Sequence, residues 1–250
     1  MASNSKQVRR MAICLGIFSL SSLTSSSFAQ IQTDQIFANA GVKKNFVIAE
    51  SSEAAPIFRS NPFWDNWFIG AGVGGQVYLG DHNRQMGLGE LLTPAFNVHA
   101  GKWLVPEVGL RLGVSGFTIK GATQNGSHST GEVYDASQRL MKQKFNYFHI
   151  HTDVLFNTFN ILDGYVSGRS YNLNPFIGIG LMQALDEPKR KEFSLSVGVS
   201  NSLQVSEVIG ITLDVRGSLV RDRFDGEVGE RYGEGVLAST LGITYNIPTR

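Results

Sequence analysis

Three short runs in this 250-residue sequence have residue types and spacing suited to chemistry. His149-Ile150-His151-Thr152-Asp153 opens like an H-x-H-x-D zinc-ligand run, and on a strand its three polar side chains would share one face. Completing that run needs a His after the Asp, and Val154 stands there. Only His99 joins the same expected face, since His82 and His128 fall in expected loops. The same residues also read as a hydrogen-bonded network with Arg111, Asp214 and Arg216, and no metal is expected. Gly70-Ala71-Gly72-Val73-Gly74-Gly75 satisfies G-x-G-x-x-G. A dinucleotide site would need a helix to begin there. Gln76-Val77-Tyr78-Leu79 instead continues a strand, so these glycines read as small residues lining a narrow lumen, and no cofactor is expected. Asp81 and His82, with Ser127, His128 and Ser129 in a later loop, are the remaining candidates for catalysis. Adjacent residues at a strand end point apart, so Asp81 would orient His82 only if the loop folds back; an enzyme is not expected.

The elements that must position these residues follow from one repeated pattern. From Trp67 to Ile247 apolar residues take every second position, as in Phe193, Leu195, Val197 and Val199. A period of two means strand, with alternate side chains on opposite faces. The other face is mostly Gly, Ser and Asn, too small and neutral for a wet exterior. It suits the interior of a small barrel whose apolar face meets lipid.

The pattern predicts eight strands, at about 66–79, 94–104, 108–119, 145–156, 171–183, 192–203, 208–220 and 236–247. Tight or Gly-punctuated connections at 105–107, 157–170 and 204–207 alternate with polar ones at 80–93, 120–144, 184–191 and 221–235. This is an all-β, eight-stranded antiparallel transmembrane β-barrel with long extracellular loops and short periplasmic turns. Charges within strands fall mainly on the Gly/Ser face. Arg111, His149, His151, Asp153, Asp214 and Arg216 are therefore expected to form a lumenal polar network. Lys102 is the exception, expected to snorkel to the headgroups. Trp67, Trp103, Phe156 and Tyr245 are expected in an aromatic girdle at the periplasmic edge, with Tyr78 and Phe145 near the outer one.

The front of the chain agrees. Lys6, Arg9 and Arg10 precede an apolar stretch from Met11 to about Leu23, and Ser27-Phe28-Ala29 offers a cleavage site before Gln30. Residues 1–29 thus read as a signal peptide, 30–65 as an irregular periplasmic segment and 66–250 as the barrel. Cys14 is the only cysteine, so a processed chain would hold no disulfide and no thiolate site. The net charge of +1 gives no basic stripe for nucleic acid.

Asp65-Asn66-Trp67-Phe68 leading into a Gly-rich strand, Gly80-Asp81-His82, Gly101-Lys102-Trp103, and Pro106 with Gly109 and Arg111 carry a family likeness. Over about 61–247 the chain resembles the N-terminal barrel of the outer-membrane protein A family as found in Bacteroides-like bacteria. Its end, with Leu241, Ile243, Tyr245 and Ile247, resembles the C-terminal strand signal read by the barrel-assembly machinery. The last position of that signal is usually aromatic and here is Ile247. Many relatives add a peptidoglycan-binding domain, and its anchoring role is not carried over to a chain that stops at Arg250.

The expected function is an integral protein of the Gram-negative outer membrane with a structural or surface-interaction role and a lumen largely filled by polar side chains. Expected partners are outer-membrane lipid and lipopolysaccharide, the barrel-assembly machinery, and an unidentified surface ligand at loop 120–144. Two alternatives stay open: a secreted, soluble lipocalin-like barrel with its apolar face inward, and a small barrel enzyme acting on lipid.

Overall fold

A computed structural model describes residues 62–227 and 233–248. The expected signal peptide, its Cys14 and residues 30–61 lie outside the described residues. Nine strands follow in order: β1 (Trp67–Leu79), β2 (Thr93–Val105), β3 (Val108–Thr123), β4 (Ser129–Asp135), β5 (Leu140–Phe156), β6 (Tyr171–Ala184), β7 (Lys191–Gln204), β8 (Ile209–Val220) and β9 (Glu234–Asn246). Every pairing is antiparallel. β1 pairs with both β2 and β9, and β3 pairs with β5, so eight strands close a ring and β4 lies outside it. Closure leaves the ring no unpaired edge, which is what lets strands survive in an apolar solvent.

Alternation decides what each face meets. On β7, Ser194, Ser196 and Ser200 are buried, while Phe193, Leu195 and Val197 are exposed. On β8, Ile209, Ile211, Leu213 and Val215 stand out and Thr212, Asp214, Arg216 and Ser218 point in. A ring that buries its charges and exposes a continuous apolar belt is built for a lipid exterior. The soluble alternative needed the apolar face inside, and the observed facing overturns it. Among the described residues no helix is long and apolar enough to cross a membrane.

The seam between first and last strands is tight. Gly72 and Gly242 pair across it, and a Cβ on Gly242 would lie 2.6 Å from the Gly72 Cα.

The two ends of the ring differ. At one end the turns are Pro106–Glu107, residues 205–208, and a longer segment holding a short helix, α2 (Thr158–Asp163). The Asn157 side chain caps that helix by accepting from the Asn160 N–H at 3.0 Å. These connections surround an open polar vestibule of about 760 Å³. At the other end, the region expected as loop 120–144 is not irregular. β3 and β5 run on to Thr123 and Leu140 as a paired extension, and β4 adds to its edge. The short helix α1 (Leu88–Leu91) of the first loop packs on it, and Met86, Leu91, Ala122 and Leu140 share a small apolar core. That core is what extends the strands past the expected boundary.

Candidate functional site

The middle of the lumen is crossed by ion pairs. Arg111 and Asp153 face each other on neighbouring β3 and β5, and Asp214 and Arg216 come from β8 on the opposite side of the ring. Arg111 Nε donates to Asp153 Oδ2 at 2.9 Å, and its Nη1 donates to Asp214 Oδ1 and Oδ2 at 3.1 and 3.0 Å. Arg216 donates through Nη1 and Nη2 to the two oxygens of Asp153, at 3.0 and 2.6 Å. Asn97 Nδ2 reaches Asp214 at 3.4 Å. Two cations and two anions cancel, which is the condition for burying them. Both guanidinium carbons lie 4.6 Å from the centre of the Phe176 ring. The adjoining voids measure only about 20 and 60 Å³, room for water and not for a solute.

The histidines sit around this network. His149 Nε2 and Ser194 Oγ share a hydrogen bond of 2.7 Å, and His151 Nδ1 lies 3.2 Å from Asp153 Oδ2. Two guanidiniums already occupy the Asp153 carboxylate. A cation would meet their repulsion, and no metal-holding group of three or more His, Cys, Asp or Glu occurs among the described residues.

Above the ion pairs the filling changes. Tyr78, Ile119, Phe145, Tyr147, Met182, Val220 and Val236 form an apolar cluster inside the ring. Phe224, from the loop after β8, drops into it and is fully buried, with ring centroids 5.7 and 5.9 Å from Phe145 and Tyr147. His128 stacks on Phe145 at 4.2 Å. The lumen is therefore polar only in part, and its outer section is closed by aromatic packing.

Three loops tie together over this plug. The Glu227 carboxylate accepts from Thr123 Oγ1 at 3.0 Å and the Gln124 N–H at 3.2 Å, and lies 3.5 Å from His82 Nε2. The Gly226 carbonyl accepts from Asn125 Nδ2 and Ser127 Oγ, both at 3.1 Å. His82 thus meets Glu227, while His128 is buried against an aromatic ring; the two are not assembled at an open rim.

Several expected positions come out differently. Tyr78 and Phe145 point inward and are buried, not at an outer girdle. Trp103 also shares the inward face, 6.2 Å from Phe68 between ring centroids. Trp67 and Phe156 are half-buried, and Tyr245 is exposed. Lys102 does not snorkel to headgroups. Its Nζ donates to the carbonyls of Pro62, Phe63 and Asp65 at 2.7–2.8 Å, because the turn before β1 brings three bare acceptors within reach. Leu241, Ile243, Tyr245 and Ile247 form an exposed row at the end of the chain. Sequence reasoning missed Phe224, Phe176 and Glu227, which lie in a loop, on an inward aromatic position and in a loop; only the parity of Phe176 carried a signal.

No protein-family model matches the chain. Outer membrane protein 40 of Porphyromonas gingivalis is 26% identical over 204 residues, which cover 76% of this chain. The chain spans about half, 49%, of that relative's length. Among solved structures it is similar to Neisserial surface protein A, at TM-score 0.46 and 10% identity over 72% of this chain and 97% of that one. Ail of Yersinia pestis, solved with the heparin analogue sucrose octasulfate, gives TM-score 0.41 and 14% identity over 73% and 99%. The N-terminal β-barrel domain of Pseudomonas aeruginosa OprF gives 0.38 and 12% over 73% and 98%. With its closed antiparallel ring, its lipid-facing belt and its sequence similarity to an outer-membrane protein, the chain is an integral β-barrel of the outer membrane.

Proposed function

We propose that this barrel is a sealed, non-conducting element of the outer membrane that presents an interlocked loop surface to the outside. The observation that carries this is the neutral Arg111–Asp153–Arg216–Asp214 network spanning the ring, with the Phe224 plug above it. A pore would need a continuous polar path, and both layers interrupt it. The long-loop end is taken as extracellular because outer-membrane barrels keep their short turns in the periplasm. The role is structural or surface-binding, with the β3–β5 extension and its β4 edge as the most prominent feature for a partner. We further assign residues 1–29 as a cleaved signal peptide, and the Leu241–Ile247 row as the segment the assembly machinery reads.

The test is made on a washed outer-membrane fraction. An unboiled band that migrates faster than the boiled one, an intact mass beginning at Gln30, and no steady conductance when the purified protein enters a planar bilayer are the expected results. Discrete conductance steps would refute the sealed lumen. Recovery of the protein in the soluble fraction with no gel shift would refute the barrel reading itself.

A further inference from the structure

The outward face of the β3–β5 pair carries an arrangement that the sealed lumen does not explain. Along β3, Leu110, Leu112 and Val114 face out, and Lys120 follows. Along β5, Phe156, Val154, Ile150 and Phe148 are followed by Asn146, Lys144 and Lys142. Val108 to Phe117, at about 3.3 Å per residue and a tilt of about 40°, spans roughly 23 Å of membrane, close to the full apolar belt. Lys120 and Lys144 come next, within about 8 Å, which is headgroup depth, and Lys142 stands two rungs further on.

Lys120 and Lys144 are direct cross-strand partners. Like charges opposite each other destabilise a ladder unless something neutralises them. Among the described residues neither makes an ion pair. Glu132 is taken by Lys142 at 2.9 Å, the Glu90 Oε2 accepts the Gly87 N–H at 3.1 Å, and Asp186 accepts the Asn146 N–H at 2.7 Å. The three lysines line one cavity of about 330 Å³ with Met86, Glu90 and Glu132.

Just below, the backbone is strained. Gly116 and Phe117 hold φ of 148° and 131°, a region that a phenylalanine rarely adopts. By register Phe117 pairs with buried Tyr147 and belongs to the inward face, yet its side chain is half exposed and meets Phe96 edge-on at 6.4 Å. The strain thus places an aromatic on the lipid side, one residue beyond Gly116, whose ladder rung holds Phe96 and Phe148.

We propose that Lys120, Lys142 and Lys144, with Phe96, Phe117 and Phe148, bind a phosphorylated glycolipid of the outer leaflet, phosphate on the ammoniums and upper acyl chains on the aromatic shelf. The site deepens the outer-membrane reading and rests on it. A soluble polyanion would satisfy the lysines but leave the displaced Phe117 without a role, so the lipid is favoured.

The full protein in dodecyl maltoside micelles is titrated with bisphosphorylated lipid A, with its dephosphorylated form, and with lipid A plus excess inorganic phosphate; retained lipid is read by native mass spectrometry. Wild type retains the bisphosphorylated lipid and discriminates against the dephosphorylated one. Lys120→Gln with Lys144→Gln raises the apparent Kd about tenfold or more, the paired Arg substitutions keep it, and Phe117→Ala raises it less. Equal retention by the Gln pair, or equal retention of dephosphorylated lipid, overturns the proposal. So does displacement by inorganic phosphate with Phe117→Ala unaffected, which marks a soluble-anion site. Each sample is also run unboiled. A gel shift kept with lipid lost bears on this site alone, whereas no shift in wild type strikes the barrel reading.

Discussion

The outer and middle sections of the lumen share one set of strands yet are filled by opposite chemistries. The middle is held by two arginines and two aspartates, the outer section by Tyr78, Phe145, Tyr147 and Phe224. The ionic layer fixes opposite walls to each other through directional bonds. Its worth lies in the cost of breaking it, since a neutral buried network adds little net stability over an apolar filling. The aromatic layer is non-directional and takes a stopper from a loop. One layer therefore specifies the ring, and the other shuts the outer mouth. Below both, the polar vestibule among the short turns stays open.

Gln76 joins the layers. It accepts from the Tyr147 hydroxyl at 2.6 Å and donates to the Thr118 carbonyl at 3.0 Å. A polar amide at this boundary lets an aromatic hydroxyl end the apolar cluster without an unpaired group.

Breaking the ionic layer should have the largest effect. Asp153→Ala leaves Arg111 with one partner and Arg216 with none of its carboxylate bonds, at a cost of about 3–5 kcal/mol. A gel-shift midpoint at clearly lower temperature, or loss of the fast-migrating band, is the expected readout. Phe224→Ala should cost about 3 kcal/mol through the cavity it opens, and still give no conductance, because the ion pairs lie beneath it. Planar-bilayer recording of that variant sharpens the comparison, since a current would show that the aromatic plug alone seals the lumen. Glu227→Ala removes the tie among three loops and should cost about 1 kcal/mol, read as faster proteolysis of the outer loops with an unchanged gel shift.

The smallest effect concerns pH. Burial holds His128 below its ordinary value of 6.5, while the carboxylates of Asp225, Asp186 and Glu187 offset part of that push. The folded loop cap then disfavours the charged imidazole. Its contribution is intact above about pH 6.5 and declines as pH falls through that value. Hydrogen exchange in residues 124–128 should rise modestly between pH 7 and pH 5, and His128→Phe should abolish the difference.

Parity carried most of the fold. Every ring strand and the inward position of Arg111, His149, His151, Asp153, Asp214 and Arg216 followed from alternation, because a strand leaves only two directions for a side chain. The aromatics misread for a different reason. Tyr78 shares parity with Phe68, Phe145 with Tyr147, and Trp103 with His99; nearness to a strand end suggests a girdle for each, whereas parity points each inward. Three features left no trace in the pattern. β4 is short and polar, so periodicity could not find it. The twist at Gly116 and Phe117 reverses one side chain without changing the register. Phe224 closes the lumen from a loop, where sequence has no period to read.

The most direct test of the account uses two adjacent residues of β7. Single Val197→Cys and Ser196→Cys variants, assembled into outer membranes, are treated with a membrane-dissolved maleimide. Val197 stands 56% exposed on the apolar belt and Ser196 is fully buried in the lumen. Rapid labelling of the first and none of the second is expected. Labelling of Ser196→Cys, with Val197→Cys protected, would turn the barrel inside out and contradict it.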